Sequence, residues 1–483
     1  MINRTRCLFL KLVALGVSVL FMSPLAEAIS RPVKKKPNVI FVLSDDHSVP
    51  FLGCYGYPVE TPNLDKFAQE GMRFDNMFMG SPQCVPARAT LMTGRAASAI
   101  RMSRFTSPLP GDVATLPEML QQQGYYTGTC RRGYHLDGDT KGVYGEIIRK
   151  HDLKAFRRHL DFVDVSQDRT KTPSVLNEFL GQVPVGKPFF FWINFNDPHH
   201  PWDQNAISEP HDPKEIKVPD YLPDLPGVRA DLARHCDEIA RLDEEFKWIV
   251  DVLKERDIYD DTIVIFMGDN GMAFPHGKGT LYDPGLQVPF IVRWPGVVKP
   301  GSSANVMLSG EDFAPTMLEA AGTTKDKTMS GKSFLSLLKG EKYEKREYIF
   351  GERGTHGDDH WTDMRHDMPS SAVDYSRCVR SERYKLIYNC TPHHRYSPVD
   401  TNGLWYWKQI QQLYKEGGLE EKFAKSYFTY PRPIWQLFDL QKDPAELNNI
   451  YDDTQYHDVI KELKYALIEN MTLNYDFLPR PAL

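Results

Sequence analysis

The fold is decided by two similar stretches, Val39-Ile-Phe-Val-Leu-Ser-Asp-Asp46 and Ile263-Val-Ile-Phe-Met-Gly-Asp-Asn270. Each begins as an unbroken apolar run, which is typical of a parallel strand buried on both faces. Each run ends in two adjacent side chains that carry oxygen atoms. Ligands of open α/β sheets bind at the carboxyl ends of the strands. We therefore expect the two polar pairs to converge, although more than two hundred residues separate them.

Helical and strand patterns alternate around these two stretches. Helices are predicted over residues 64–70, 116–123 and 229–254, and a further buried strand over 188–195. This alternation indicates an α/β fold with a large, doubly wound, mostly parallel sheet flanked by helices. Strand patterns at 377–388 and 435–440, followed by a helical pattern around 459–467, predict a small C-terminal α+β subdomain with an antiparallel sheet.

The N-terminus has the pattern of an export signal. Basic residues precede an apolar run over 12–22, and Ala26-Glu-Ala28 resembles a signal peptidase site. The run is too short to span a membrane, and no longer apolar stretch follows it. We expect a signal peptide over 1–28, a large domain over 29–369 and the subdomain over 370–483. The mature protein should be periplasmic or secreted, with no membrane span; an N-terminal anchor that is not cleaved is the alternative.

The charge pattern argues against a nucleic-acid partner. The chain of 483 residues has a net charge of −6, and its only basic run is Lys34-Lys35-Lys36. Nucleic-acid-binding proteins carry a basic stripe or patch, which is missing from this sequence. An anionic substrate would therefore have to be bound by a few positive side chains in a pocket.

The polar residues after the two strands suit a metal ion. Asp45, Asp46, Asp269 and Asn270 offer oxygen atoms only, which hard cations such as calcium and magnesium prefer to zinc's nitrogen and sulfur ligands. The alternative is that these residues cap the helices that follow the strands. Two matched pairs at two strand ends favour the metal site.

A second candidate element is the stretch Ser81-Pro-Gln-Cys-Val-Pro-Ala-Arg-Ala-Thr-Leu-Met-Thr-Gly-Arg95. Pro86 fits the first turn of a helix, which places Cys84 at or just before its N-terminus. Backbone N–H groups and the helix dipole favour an anion there. Arg88, one turn further on, can bind an oxyanion with two hydrogen bonds. The alternatives are a buried structural cysteine and a surface salt bridge of Arg88.

Further candidates lie in loops, where catalytic groups often collect. His135 follows the pattern Gly124-Tyr-Tyr-Thr127, His199 follows the predicted strand over 188–195, and Lys278 follows the second polar pair. The segment 354–366 is rich in His, Asp and Arg. Within it, His356 and Trp361 are candidate substrate contacts, because an indole ring can stack on a sugar. A solvated loop is the alternative for this segment.

In combination and order, these motifs resemble the formylglycine-dependent sulfatases of the alkaline phosphatase superfamily. The resemblance covers nearly the whole mature chain and includes the Cys-x-Pro-x-Arg motif at Cys84, Gly277-Lys-Gly-Thr-Leu-Tyr282 and Val288-Pro-Phe-Ile-Val-Arg-Trp-Pro-Gly296. Residues 218–232 and 268–275 look most similar to the heparan N-sulfatase (sulfamidase) branch, whereas the surroundings of Lys278 are more similar to the general sulfatase pattern.

The resemblance implies a mechanism and a set of roles. One calcium ion would bind Asp45, Asp46, Asp269 and Asn270, and would also be reached by the hydrated formylglycine made from Cys84. Arg88 would steady that nucleophile, while His135, His199 and Lys278 would bind the sulfate or protonate the leaving group. The implied partners are a formylglycine-generating enzyme and a sulfated oligosaccharide or polysaccharide, with the N-sulfoglucosamine of heparan and O-sulfated polysaccharides both open.

One motif departs from the family pattern. Sulfatases usually have Gly-Lys-x-His after Gly-Tyr-x-Thr, but this chain has Arg131-Arg-Gly-Tyr-His135. Arg132 is the candidate to replace the lysine as a substrate-binding clamp, because arginine keeps its proton; Arg131 is the other possibility. Two further functions stay open: a phosphate-ester or phosphonate hydrolase of the same superfamily, and a carbohydrate-binding relative that has lost catalysis.

Overall fold

Strand β1 (Asn38–Ser44) is the centre of a nine-stranded sheet in this computed structural model, which describes residues 36–105, 107–138, 142–153, 156–356 and 373–481. The other strands of the sheet are β2 (Met72–Phe78), β3 (Tyr126–Arg131), β4 (Phe162–Asp164), β5 (Phe189–Asn194), β6 (Thr262–Gly268), β7 (Gln287–Arg293), β8 (Ser302–Ala304) and β9 (Leu308–Ser309). Their order is β4-β3-β5-β1-β6-β7-β2-β8, and β9 also pairs with β2. Only the pairs of β7, with β6 and β2, are antiparallel. The predicted mostly parallel α/β sheet is confirmed.

Helices cover both faces of this sheet. The helices are α1 (Pro62–Glu70), α2 (Cys84–Thr93), α3 (Leu116–Gln122), α4 (Gly142–Lys150), α5 (Thr172–Gln182), α6 (Pro226–Glu255), α7 (Asp283–Leu286), α8 (Phe313–Ala320), α9 (Leu335–Leu338), α10 (Trp405–Lys415), α11 (Glu421–Phe428) and α12 (His457–Leu473). Alternate residues of β1 point to opposite faces. Ile40 and Val42 join a core with α1, α5 and α6, while Phe41 and Leu43 join a core with α2, α3 and α8. Burial on both faces explains the unbroken apolar runs.

The small antiparallel sheet is also present, and it begins earlier than the strand patterns indicate. Its strands, in spatial order, are β10 (Ile349–Arg353), β11 (Ser376–Arg380), β12 (Tyr384–Asn389) and β13 (Trp435–Asp439). α12 packs against it through Leu463 and Leu467. α10 and α11 pack instead on the core of the large sheet. Because β10 precedes residue 369 and these two helices join the large core, the boundary at 369 stays a prediction.

The predicted signal peptide, residues 1–28, lies outside the described residues. Among the residues that are described, no helix combines the length and the apolar character that crossing a membrane requires.

Candidate active site

The two polar pairs meet because their strands are neighbours. β1 and β6 pair in parallel register to their last residues, so they end at the same level. The Asp46 N–H donates to Asp269 Oδ1 at 3.0 Å, and Asn270 Nδ2 donates to Asp46 Oδ1 at 2.8 Å. Asp46 has a left-handed backbone, with φ of 61°, which is uncommon outside glycine and often marks functional positions. Together with Asp45, these side chains form one buried cluster.

Cys84 is the first residue of α2 and lies against this cluster. Its Sγ is 3.2 Å from Asp45 Oδ1 and 3.7 Å from Asp46 Oδ1. The side chain of Gln83 holds the start of the helix through hydrogen bonds of 3.2 Å to backbone atoms of residues 354–355. Burial, together with the nearby Asp45 carboxylate, raises the pKa of the Cys84 thiol well above its usual range. An unmodified Cys84 is therefore a poor thiolate nucleophile at this position.

Arg88 connects the side chains of the cluster through hydrogen bonds. Its Nε donates to Asp269 Oδ2 at 2.9 Å, its Nη2 to Asp45 Oδ2 at 3.0 Å and its Nη1 to Asn194 Oδ1 at 2.7 Å. The guanidinium is fully buried. A planar, permanently charged group with several donors suits such a site. Arg88 thus fixes the relative positions of β1, β5, β6 and α2, and the surface salt bridge considered for it is not what forms.

The two adjacent arginines point to different places. Arg132 Nη1 donates to Asp45 Oδ2 at 2.7 Å, and its side chain is 17% exposed. Arg131, whose φ is 57°, is buried and donates to Thr172 and Glu245 instead. Of the two residues that the sequence leaves open, Arg132 is therefore the one that contacts the carboxylate cluster.

Lys278 and His199 both contact Asp46, one of the two carboxylates next to Cys84. Lys278 Nζ is 2.9 Å from Asp46 Oδ2 and donates to His199 Nε2 at 3.1 Å. The other ring nitrogen of His199 contacts the carbonyl of His200, which fits an Nδ1–H tautomer. Burial, with the charge of Lys278, lowers the pKa of His199 to about 3. His199 is therefore neutral in this arrangement, and Lys278 carries the charge.

His135 lies near the same cluster, in the turn after β3. Its side chain is buried, and its ring centroid is 6.0 Å from that of Phe105. Burial, followed by the charge of Arg88, lowers the pKa of His135 well below its usual range. A neutral imidazole at this place can accept or donate a hydrogen bond without adding charge. Its part in sulfate binding or proton transfer stays a prediction.

Asp400 is a site residue that the sequence did not reveal. Its Oδ2 is 2.6 Å from Lys278 Nζ, and its Oδ1 is 3.4 Å from His356 Nε2. His356, a predicted substrate contact, is buried behind Asp400 and packs against the ring of Phe105 at 4.6 Å. Trp361, the other predicted substrate contact, lies outside the described residues. Asp400 stands alone in a polar loop, so no local pattern could have indicated it.

The donor set fits a hard divalent cation. Carboxylate oxygens of Asp45 and Asp46 lie within 4.8 Å of one another, of Cys84 Sγ and of a His199 ring nitrogen, and the two oxygens are ligands that a hard cation prefers. Asn270 Oδ1 is buried and has no hydrogen-bond partner among the described residues. Buried oxygen atoms without partners are rare and call for a ligand such as an ion. Both carboxylate oxygens of Asp269 accept hydrogen bonds within the cluster, one from the Asp46 N–H and one from Arg88 Nε.

The charges of the cluster also fit a cation. Burial, with the Asp45 carboxylate, raises the pKa of Asp269 to about 7, and burial raises that of Asp46 to about 7. Although burial opposes it, Arg132 and Arg88 hold the pKa of Asp45 well below its usual range, so the cost of ionisation falls on Asp46 and Asp269. A divalent cation would stabilise their ionised forms. The same positive groups can then bind an anionic substrate.

Two family profiles match the chain. The sulfatase profile matches residues 37–323. A profile described as the C-terminal part of N-sulphoglucosamine sulphohydrolase matches residues 274–416 and 403–472. The matched ranges include every site residue placed above, from Asp45 to Asp400.

Known proteins with similar sequences carry sulfatase names. An ulvan-active sulfatase of Formosa agariphila is 28% identical over 478 residues, covering 91% of this chain and 76% of that protein. N-sulphoglucosamine sulphohydrolase of Homo sapiens is 25% identical over 467 residues, covering 89% of each chain. Among solved structures, phosphonate monoester hydrolase of Agrobacterium radiobacter matches with a TM-score of 0.66 at 22% identity, over 91% of this chain and 96% of that one. That likeness shows a shared fold.

Proposed function

The chain belongs to the sulfatase family, and from this premise we propose that it is an exported, calcium-dependent hydrolase of sulfated carbohydrates whose nucleophile is a formylglycine made from Cys84. Members of the family hydrolyse sulfate esters or sulfamates, and this chain is such an enzyme. The observation that carries the finer proposal is the position of Cys84. It begins α2 beside two carboxylates, with Arg88, Arg132 and Lys278 around the same cluster.

The substrate class follows from the relatives. One relative is named for N-sulphoglucosamine and another for ulvan, so both an amine-linked and an oxygen-linked sulfate on a sugar are supported by name. We propose the N-sulfoglucosamine of heparan or an O-sulfated polysaccharide as substrate. The positive side chains around the cluster supply the local charge that an anionic sugar needs, since the whole chain has a net charge of −6.

Different side chains have different roles in the proposed reaction. A bound calcium ion would supply Lewis acidity, and an aldehyde hydrate at position 84 would supply the nucleophilic oxygen. Arg132, partly exposed beside Asp45, is placed to bind sulfuryl oxygens. Although burial disfavours a charged amine, the carboxylates of Asp400 and Asp46 hold the pKa of Lys278 well above its usual range. Lys278 Nζ therefore holds a proton, next to His199 Nε2, for the departing oxygen or nitrogen.

The buried position of Cys84 bears on its modification. Its side chain is fully buried in the folded chain. An enzyme that oxidises this thiol therefore has to act before the chain folds. A formylglycine-generating enzyme acting on the unfolded chain, together with export through the signal at 1–28, is the proposed route to the mature, periplasmic or secreted enzyme.

A substrate panel tests the proposed function. Protein from a host with a formylglycine-generating enzyme should release sulfate from glucosamine N-sulfate, or from an O-sulfated polysaccharide such as ulvan. We expect kcat/KM to be at least about 100-fold higher than for phenyl methylphosphonate, because the chain belongs to the sulfatase family. The reverse preference would support the phosphonate hydrolase, whose fold this chain shares. Binding of the sulfated sugar without hydrolysis would support a non-catalytic relative.

Metal removal is the control for the calcium proposal. Chelation with EGTA should lower kcat in this panel at least about tenfold, and calcium should restore it. Calcium at a hundredfold excess over its Kd should also stabilise the folded chain by about 2.7 kcal/mol. Full activity and an unchanged unfolding midpoint after complete chelation would refute the metal site.

A further inference from the structure

Asp400 occupies a special place at the site. It lies in the loop between β12 and α10, and its backbone is left-handed, with φ of 63°. Left-handed backbone is uncommon outside glycine, although aspartate adopts it more readily than most residues. The Asp400 side chain is 28% exposed, whereas that of Lys278, which it contacts, is fully buried. Part of the Asp400 side chain therefore faces solvent, next to the buried Lys278.

A carboxylate at this place needs a physical reason. It repels an anionic substrate, since like charges a few ångströms apart interact unfavourably. Pairing with Lys278 is one role of this carboxylate, but Asp46 Oδ2 also lies 2.9 Å from Lys278 Nζ, so Asp400 is one of two counter-ions of that lysine. His356 supports Asp400 from behind at 3.4 Å. Each oxygen of an ionised carboxylate has more than one lone pair, so Asp400 can accept a further hydrogen bond beside its contacts with Lys278 and His356.

Sugars supply the matching donor, and sulfate does not. The sulfate group offers only acceptor oxygens, whereas the sugar unit that carries it has hydroxyl groups and, in a glucosamine, an N–H. We propose that Asp400 contacts the substrate and sets its specificity, by accepting a hydrogen bond from an O–H or N–H of the sulfated sugar unit. This inference rests on the proposed function and names what the site recognises beyond sulfate.

Asp400→Asn is the variant that tests the inference. Asparagine has nearly the same size and, like aspartate, tolerates left-handed backbone, so the loop should keep its conformation. We expect kcat/KM for glucosamine N-sulfate or glucosamine 6-O-sulfate to fall about 10- to 100-fold, the effect of losing a hydrogen bond to a charged group. For 4-methylumbelliferyl sulfate, which has no sugar donor, kcat/KM should fall at least about threefold less than for the sugars, since only the influence of Asp400 on Lys278 is lost there.

Inorganic sulfate separates substrate contact from mere positioning of Lys278. As a competitive inhibitor it has no donor, and Asp400→Asn removes a repelling charge, so its Ki should stay the same or fall. If Asp400 only positions Lys278, sulfate and the aryl ester should both bind more weakly, and the inference is overturned.

Controls keep the outcomes distinct. Asp251→Asn makes the same chemical change in a surface Lys–Asp pair of α6 and should alter none of these constants. Asp400→Gly, which also tolerates left-handed backbone, replaces Asp400→Asn if the latter folds poorly. A wild-type enzyme that hydrolyses neither sulfated sugar contradicts the proposed function as well. A wild-type enzyme that does so, with an Asp400 variant of unchanged selectivity, overturns only the role of Asp400.

Discussion

Cys84→Ala should lower kcat for sulfate release at least about 10⁴-fold, because removing a nucleophile leaves only binding and electrostatic effects to catalysis. The fold should survive. The Cys84 side chain is small, and its polar contacts are with the two carboxylates at the end of β1. We expect a stability change of about 1 kcal/mol, as for a typical point substitution. Initial rates of sulfate release and urea unfolding of the same preparations check both numbers.

Cys236→Ala is the matched control. Cys236 is equally buried, but it lies in the core between α6 and the large sheet. Its loss removes packing and a contact with Tyr57, and should leave kcat within about twofold, at a cost in stability similar to that of Cys84→Ala. If Cys84→Ala kept more than a tenth of the wild-type kcat, Cys84 would not be the source of the nucleophile.

Arg88→Ala should destabilise the metal-free protein by about 3–5 kcal/mol, the usual cost of breaking a buried ion pair from one side. The substitution leaves Asp45 and Asp269 buried without their cation and removes the hydrogen bond to Asn194. It should also lower kcat by about 10²- to 10³-fold, because the carboxylates and Cys84 lose their common anchor. Urea unfolding in EGTA measures the first effect, and kcat with saturating calcium the second.

Arg131→Ala separates the two effects. Arg131 is a buried arginine that pairs with Glu245 and Thr172, away from Cys84. Its removal should cost a similar amount of stability, yet kcat should stay within about fivefold, since no contact with the carboxylate cluster is lost. Equal losses of kcat in the Arg131 and Arg88 variants would mean that the catalytic effect of Arg88 is only a consequence of lower stability.

Much of the fold could be predicted, because burial on both faces leaves a clear pattern. The unbroken apolar runs of β1 and β6 predicted two central parallel strands, and the helical spacing over 229–254 predicted α6, which begins slightly earlier at Pro226. The order of the strands could not be predicted, since it depends on long-range packing. Nothing local shows that β1 and β6 are neighbours, or that β7 runs antiparallel between β6 and β2.

In the candidate site, too, some residues could be predicted from the sequence and others could not. Residues within motifs, such as Cys84 and Arg88, could be found because their spacing on one helix turn has a chemical meaning. The choice between Arg131 and Arg132 could not be made, because it depends on the left-handed backbone at Arg131. Asp400 could not be predicted for another reason. It joins Lys278 only through the tertiary fold, from a loop whose sequence carries no pattern.

The mass of the tryptic peptide covering residues 74–88, from protein of the native host, tests the central claim most directly. Conversion of the Cys84 thiol to an aldehyde should lower that mass by about 18 Da relative to cysteine. The account predicts this loss in the active, calcium-loaded enzyme. An unmodified cysteine in native protein that releases sulfate at full rate would contradict the formylglycine mechanism, and the high pKa of the buried thiol would then need another explanation.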